Sequence, residues 1–136
     1  MHICKNEFNM TPAGYQPGKR SESRRLIYNA CINEDSVCAE VGVWRGDNAQ
    51  LMHSFHPKHL YLIDCWQNQS EDPIYSLEKG NLPQETFDSA YQLVLDSFKN
   101  YNNVSIVRDF SNNAVRNFED EFFDMIYIDA LLQCSN

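Results

Sequence analysis

Cations, cysteine pairs and long apolar runs are what this sequence has least of. Only 11 Lys and Arg stand against 19 Asp and Glu, a formal net charge of -8. That balance is the wrong sign for a track along nucleic-acid phosphates, whose affinity comes largely from cationic neutralisation. A small anionic group held locally by backbone N–H groups is still allowed. The five cysteines, Cys4, Cys31, Cys38, Cys65 and Cys134, include no CxxC pair. An odd, scattered set fits reduced thiols in a cytoplasmic protein better than a disulfide framework. No apolar run approaches the roughly 20 residues of a membrane span, and MHICKNEFNM has no signal-peptide core. Neither nucleic acid nor membrane is an expected partner. The dinucleotide fingerprint GxGxxG is also missing.

What is present suits one packed domain. At 136 residues with 43% apolar residues, eight Phe, seven Tyr and two Trp, the chain can build one hydrophobic core and is too short for two. Residues 1–20 carry Pro12, Gly14, Pro17 and Gly18 without a period and read as an irregular arm. Residues 21–136 then read as the domain.

Within it, apolar strands alternate with helical patterns. SESRRLIYNACI puts Leu26, Ile27, Ala30 and Cys31 on one helical face, with Ser21 as N-cap. VCAEV (37–41) is a strand and Asp47–Phe55 a helix; LYLID (60–64) is the second strand. Residues 65–83 form a long connection holding Trp66, Ile74, Tyr75 and Leu77, a candidate lid. QETFDSAYQLVLDSFKNY carries Phe87, Tyr91, Val94, Leu95, Phe98 and Tyr101 at helical spacing. NVSIV (103–107) is the third strand, Ser111 starts a short helix, and DMIYIDA (124–130) holds the fourth. Near-continuous apolar strands separated by helices predict an α/β fold, a Rossmann-like three-layer αβα sandwich around a mostly parallel sheet.

Right-handed crossovers bring the strands' C-terminal ends to one edge. The segment Gly42–Gly46, Asp64, Asp109 and Asp129 fall at or just past those ends, so residues scattered in sequence meet at one crevice. In EVGVWRG, Gly42 lets a ligand lie against the backbone and Gly46 relaxes the turn, while Trp44 replaces a second close-approach glycine. Glu40 and Asp47 flank the loop and favour a ligand bearing ammonium or hydroxyl groups over one bearing pyrophosphate. Arg45 is either a partner for a ligand carboxylate or a solvated charge. Asp64, 22 residues past Gly42, is placed to accept hydrogen bonds from vicinal ribose hydroxyls. Asp109 and Phe110 suit an adenine amino group and base stacking, and Trp66 either covers the base or packs locally. Asp129 emerges from MIYI to orient a substrate, and is by itself a candidate for a hard divalent cation such as magnesium. His53, His56 and His59 recur at steps of three, but Pro57 breaks any helix that would align them, so a solvated loop is expected rather than zinc.

Taken in order, EVGVWRG, YLIDCW, FKNYNNVSIVRDFS and FEDEFFDMIYIDA resemble the class I S-adenosylmethionine-dependent methyltransferases. The likeness is to small-molecule O-methyltransferase-like proteins related to the macrocin and sugar methyltransferases, and it covers about residues 20 to 130. It implies the sheet order 3-2-1-4 and S-adenosylmethionine as cofactor. Glu40 and Gly42 would meet its methionine part, Asp64 its ribose, and Asp109, Phe110 and Ser111 its adenine. Asp129 would stand near the transferred methyl group, as catalytic residue or metal ligand, facing a small-molecule acceptor hydroxyl. The chain departs from the pattern in having Leu132 where relatives carry a histidine. It also has no residues for the family's fifth, sixth and seventh strands, which leaves strand 124–130 as an open edge suited to a homo-oligomer. The alternatives to a methyltransferase are a truncated module that binds the nucleoside without transfer, and an NAD-dependent oxidoreductase. Glycine spacing and Glu40 count against the last.

Overall fold

The computed structural model describes residues 2–4, 20–69 and 82–129. The elements run β1 (His2–Cys4), α1 (Arg20–Cys31), β2 (Val37–Val41), α2 (Asp47–His53), β3 (His59–Asp64), α3 (Gln84–Phe98), β4 (Val104–Arg108), α4 (Ser111–Ala114) with a 3-10 turn at Val115–Asn117, and β5 (Met125–Ile128). They form one sheet in the order β1-β5-β2-β3-β4. The four strands expected from the apolar runs pair in parallel and take the predicted 3-2-1-4 order, with helices flanking the sheet in a Rossmann-like α/β architecture. Among the described residues no helix is long and apolar enough to cross a membrane.

The strand register sorts side chains into rows, because successive strand residues face opposite sides of a sheet. Cys38, Leu60, Val104 and Met125 form one row; Glu40, Leu62, Ile106 and Tyr127 form the next on the same face. Against this face pack Tyr28 and Cys31 of α1, Ala49 and Met52 of α2, and Phe87, Ala90, Val94 and Phe98 of α3. Each large side chain buried there contributes roughly 1.5–3 kcal/mol, so the core lies between the three helices and this face. The predicted stripe on α3 is the buried one at Phe87, Val94 and Phe98. The helix stops at Phe98, which leaves Tyr101 outside it and exposed. On the opposite face the Tyr61 ring meets Phe118, Phe122 and Phe123 with centroids 5.1 to 5.6 Å apart.

Three details differ from the sequence reading. Strand 124–130 is not an open edge: His2–Cys4 pairs antiparallel with it, His2 opposite Tyr127 and Cys4 opposite Met125. Three residues of the segment read as an irregular arm thus form a strand, and residues 5–19 lie outside the described residues. The first helix starts at Arg20, so Ser21 lies inside its first turn rather than at its cap. The second ends at His53 rather than Phe55. The candidate lid residues Ile74, Tyr75 and Leu77, and Leu132, also lie outside the described residues.

Candidate functional site

The strand ladder continues one residue past the strands and fixes the loops side by side. Gly42 N–H donates to Ile63 C=O at 2.9 Å, Asp109 N–H to Asp64 C=O at 3.0 Å, and Asp129 N–H to Val41 C=O at 2.9 Å. The C-terminal ends of β2, β3, β4 and β5 therefore form one edge, which carries Gly42, Asp64, Asp109 and Asp129 together.

The β2–α2 loop is tightly determined. Gly42 and Gly46 both have φ of 87°, a left-handed conformation that glycine adopts without steric cost. A Cβ on Gly46 would also stand 3.2 Å from Val94 Cγ2 of α3. Trp44 has φ of 57° and Trp66 φ of 43°, unusual for such bulky residues. Asp64 is what holds them. Its Oδ2 accepts the N–H groups of Val43 at 2.8 Å and Trp44 at 2.9 Å, and its Oδ1 accepts Trp66 N–H at 2.9 Å. A carboxylate offers about four acceptor positions, so about one is left for a ligand.

Trp66 lies fully buried, its indole N–H donating to Trp44 C=O at 2.8 Å and its ring against Tyr91. Its own carbonyl accepts Gln84 Nε2 at 3.0 Å and Arg108 Nη2 at 3.1 Å. Arg108 also pairs with Asp88 and lies over the Tyr91 ring. The Arg108 guanidinium holds the Asp88 carboxyl below its ordinary value. Trp66 is thus a packing and bracing residue. Trp44 is half-buried against Phe87, with Arg45 exposed over its ring.

Glu40 differs from the other acids of this edge. It is only 1% exposed, lies between Leu62 and Tyr127 in its row, and its Oε2 has no hydrogen-bond partner. Burial pushes its carboxyl up to about 8. The Asp129 and Asp64 charges push the same way, while Asn48 and Arg24 pull it down. Asn48, in the first turn of α2, accepts Tyr28 O–H at 2.7 Å through Oδ1, and its buried Nδ2 is without a partner. Burial likewise raises the Tyr28 phenol.

Asp129 is paired: Arg24 Nη2 donates to its Oδ2 at 3.2 Å, and Arg24 Nε donates to Tyr127 Oη at 2.8 Å. Asp109 turns back on its own loop, Oδ1 accepting Phe110 N–H at 2.7 Å and Asn113 Nδ2 at 3.3 Å. Phe110 is half-buried and Ser111 exposed beside it. Among the described residues no three His, Cys, Asp or Glu side chains converge to hold a metal ion. His53 instead meets Asn103 Oδ1 at 3.0 Å and the Phe98 and Tyr101 rings, and His59 meets Ser105 Oγ at 2.8 Å.

The sequence reading missed Arg24, Tyr28 and Asn48. Arg24 and Tyr28 are one helical turn apart on α1 and so share a face, a signal obscured by the run of charged residues around Arg24. Asn48 follows Asp47 directly, and its inward position depends on the left-handed Gly46 that starts the helix.

Chemically, this edge offers a buried carboxyl whose Oε2 is unbonded, an unused acceptor position on Asp64, and an exposed carboxylate matched by an arginine. Two backbone donors of its β2–α2 loop, the Val43 and Trp44 N–H groups, are taken by Asp64. No protein-family model and no curated protein matches this chain, so its functional reading rests on the geometry of this edge.

Proposed function

We propose that the chain binds S-adenosylmethionine at the C-terminal edge of its sheet and serves methyl transfer to a hydroxyl group of a small molecule. The observation that carries this reading is Glu40 Oε2, a buried carboxyl oxygen with no partner two residues before the left-handed Gly42. Leaving such an atom unsatisfied costs about 1–3 kcal/mol, which an amino group of a ligand would offset. Engagement of the Val43 and Trp44 N–H groups by Asp64 supports a nucleoside over a dinucleotide, because a pyrophosphate needs such donors free.

The residues present fit the cofactor. Glu40 would hold its amino group, Gly42 would admit it against the backbone, and Trp44 and Gly46 would shape the loop around it. The unused acceptor position of Asp64 would take one ribose hydroxyl, with Asp109, Phe110 and Ser111 around the adenine. When bound, the cofactor supplies a methyl group activated by a sulfonium. Asp129, anchored beside Val41, would orient the acceptor hydroxyl and accept its proton, with the sheet edge fixing an in-line approach.

A second reading, a module that binds the nucleoside without transferring the methyl group, is favoured by one observation: Arg24 already engages the Asp129 carboxylate. Thermal unfolding of the full chain with S-adenosylmethionine, S-adenosylhomocysteine or NAD tests the shared part. Both nucleosides should raise the melting temperature, as any ligand that binds only the folded state does, and NAD should not. Stabilisation by NAD alone would overturn the proposal. Label passing from methyl-labelled S-adenosylmethionine to hydroxylated acceptors would separate transfer from binding.

A further inference from the structure

Arg24 brings a cation to an edge otherwise rich in carboxyls. It bonds Asp129 Oδ2 and Tyr127 Oη, and Tyr127 lies beside Glu40 in the register of β5 on β2. Its charge reaches Glu40 as well as Asp129. The Arg24 side chain is 18% exposed and that of Asp129 is 44% exposed, so the pair sits at the mouth of the edge rather than in the core. Two other cations at the loops of this edge are engaged elsewhere: Arg45 lies over Trp44, and Arg108 pairs with Asp88 over Tyr91.

A ligand with a fixed positive charge at this edge meets an Asp129 whose charge is already matched, and a guanidinium of like sign beside it. A neutral ligand of the same shape meets no such opposition. S-adenosylmethionine and S-adenosylhomocysteine differ in this way, as sulfonium and thioether. We infer that Arg24 sets the preference of this site between the cationic sulfonium and the neutral thioether, by engaging the Asp129 charge that a sulfonium would otherwise use. The inference rests on the nucleoside reading above and makes Arg24 a specificity-determining residue. Its presence shifts binding toward the neutral, methyl-depleted form.

If Arg24 merely ties α1 to β5, its loss weakens both nucleosides alike, whereas a specificity role changes their ratio. Calorimetric titration at pH 7.5 of both nucleosides into wild type, Arg24→Met, Arg24→Lys and Asp129→Asn separates the two. One unit of charge several ångströms away at a partly wet site changes affinity by up to about tenfold. The affinity for S-adenosylmethionine relative to S-adenosylhomocysteine should therefore rise about three- to tenfold in Arg24→Met, by the same Coulomb reasoning. It should stay within about twofold in Arg24→Lys, which keeps the charge. In Asp129→Asn it should fall, because Arg24 is then unmatched, and this variant decides the matter should Arg24→Met fail to fold. A ratio that is unchanged, or that moves the opposite way, overturns the inference alone. Absence of binding of either nucleoside to folded wild type removes the nucleoside reading and the inference with it.

Discussion

Asp64 holds Trp44 in a left-handed turn: Asp64 Oδ2 accepts the Trp44 N–H at 2.9 Å, with Trp44 at φ 57°. That conformation costs a non-glycine residue roughly 1–2 kcal/mol, and hydrogen bonds to a carboxylate are strong enough to offset it. The same oxygen takes Val43 N–H, and the other takes Trp66 N–H. One side chain at the end of β3 thereby fixes the loop after β2 and the loop after itself.

Replacing Asp64 with Asn should therefore cost stability before any ligand is considered. Asn has one acceptor oxygen, so its amide N–H₂ must face at least one of the three backbone donors. The expected loss is about 2–3 kcal/mol, read as a lower urea midpoint with unchanged slope. A midpoint within error of wild type would mean that the three bonds do not hold the loop.

Gly46→Ala should be destabilising by about 1–2 kcal/mol from the left-handed backbone, with a further contribution from the 3.2 Å approach to Val94 Cγ2. Thermal unfolding should show the drop. An alanine variant as stable as wild type would mean that the α2 start does not need φ near 87°.

The pH dependence of stability follows from Glu40. Its carboxyl is raised by burial from 4.5 to about 8, so the folded state keeps a proton that the unfolded chain releases. The stabilising contribution is full below about pH 4.5 and is lost as pH rises toward 8. Glu40→Gln should remove up to about 1.4 kcal/mol of this decline per pH unit. The variant should then be more stable than wild type at pH 8. Parallel denaturation profiles of the two proteins across this window would contradict the assignment.

Deleting residues 1–4 should expose the β5 edge that His2–Cys4 covers. Unpaired strand edges template pairing with other chains, so light scattering should show concentration-dependent association absent in the full chain. A shortened chain that remains monomeric would mean that β1 does not protect the edge.

The parallel sheet was legible because its strands are short, nearly continuous apolar runs such as LYLI and MIYI, and Phe87, Val94 and Phe98 repeat at helical spacing. β1 was not: His2, Ile3 and Cys4 are too few to show a period, and their partner is more than 120 residues away. The edge itself followed from topology, which gathers Gly42, Asp64, Asp109 and Asp129 wherever crossovers are right-handed. What each acid does there was hidden. The sequence places Asp64 to accept ribose hydroxyls, but no sequence pattern reveals that the Val43 and Trp44 N–H groups turn toward it. Glu40 flanks the loop in sequence, but its burial follows from the register that sets it in one row with Leu62, Ile106 and Tyr127. Arg24 was hidden because its partner Asp129 lies 105 residues away.

The most direct measurement is calorimetric titration of S-adenosylhomocysteine into folded wild type and Glu40→Gln side by side at pH 8. Wild type should bind at one site per chain and the variant at least tenfold more weakly, about 1.4 kcal/mol or more, with the fold unchanged. No binding to folded wild type, or equal binding to both proteins, would contradict it.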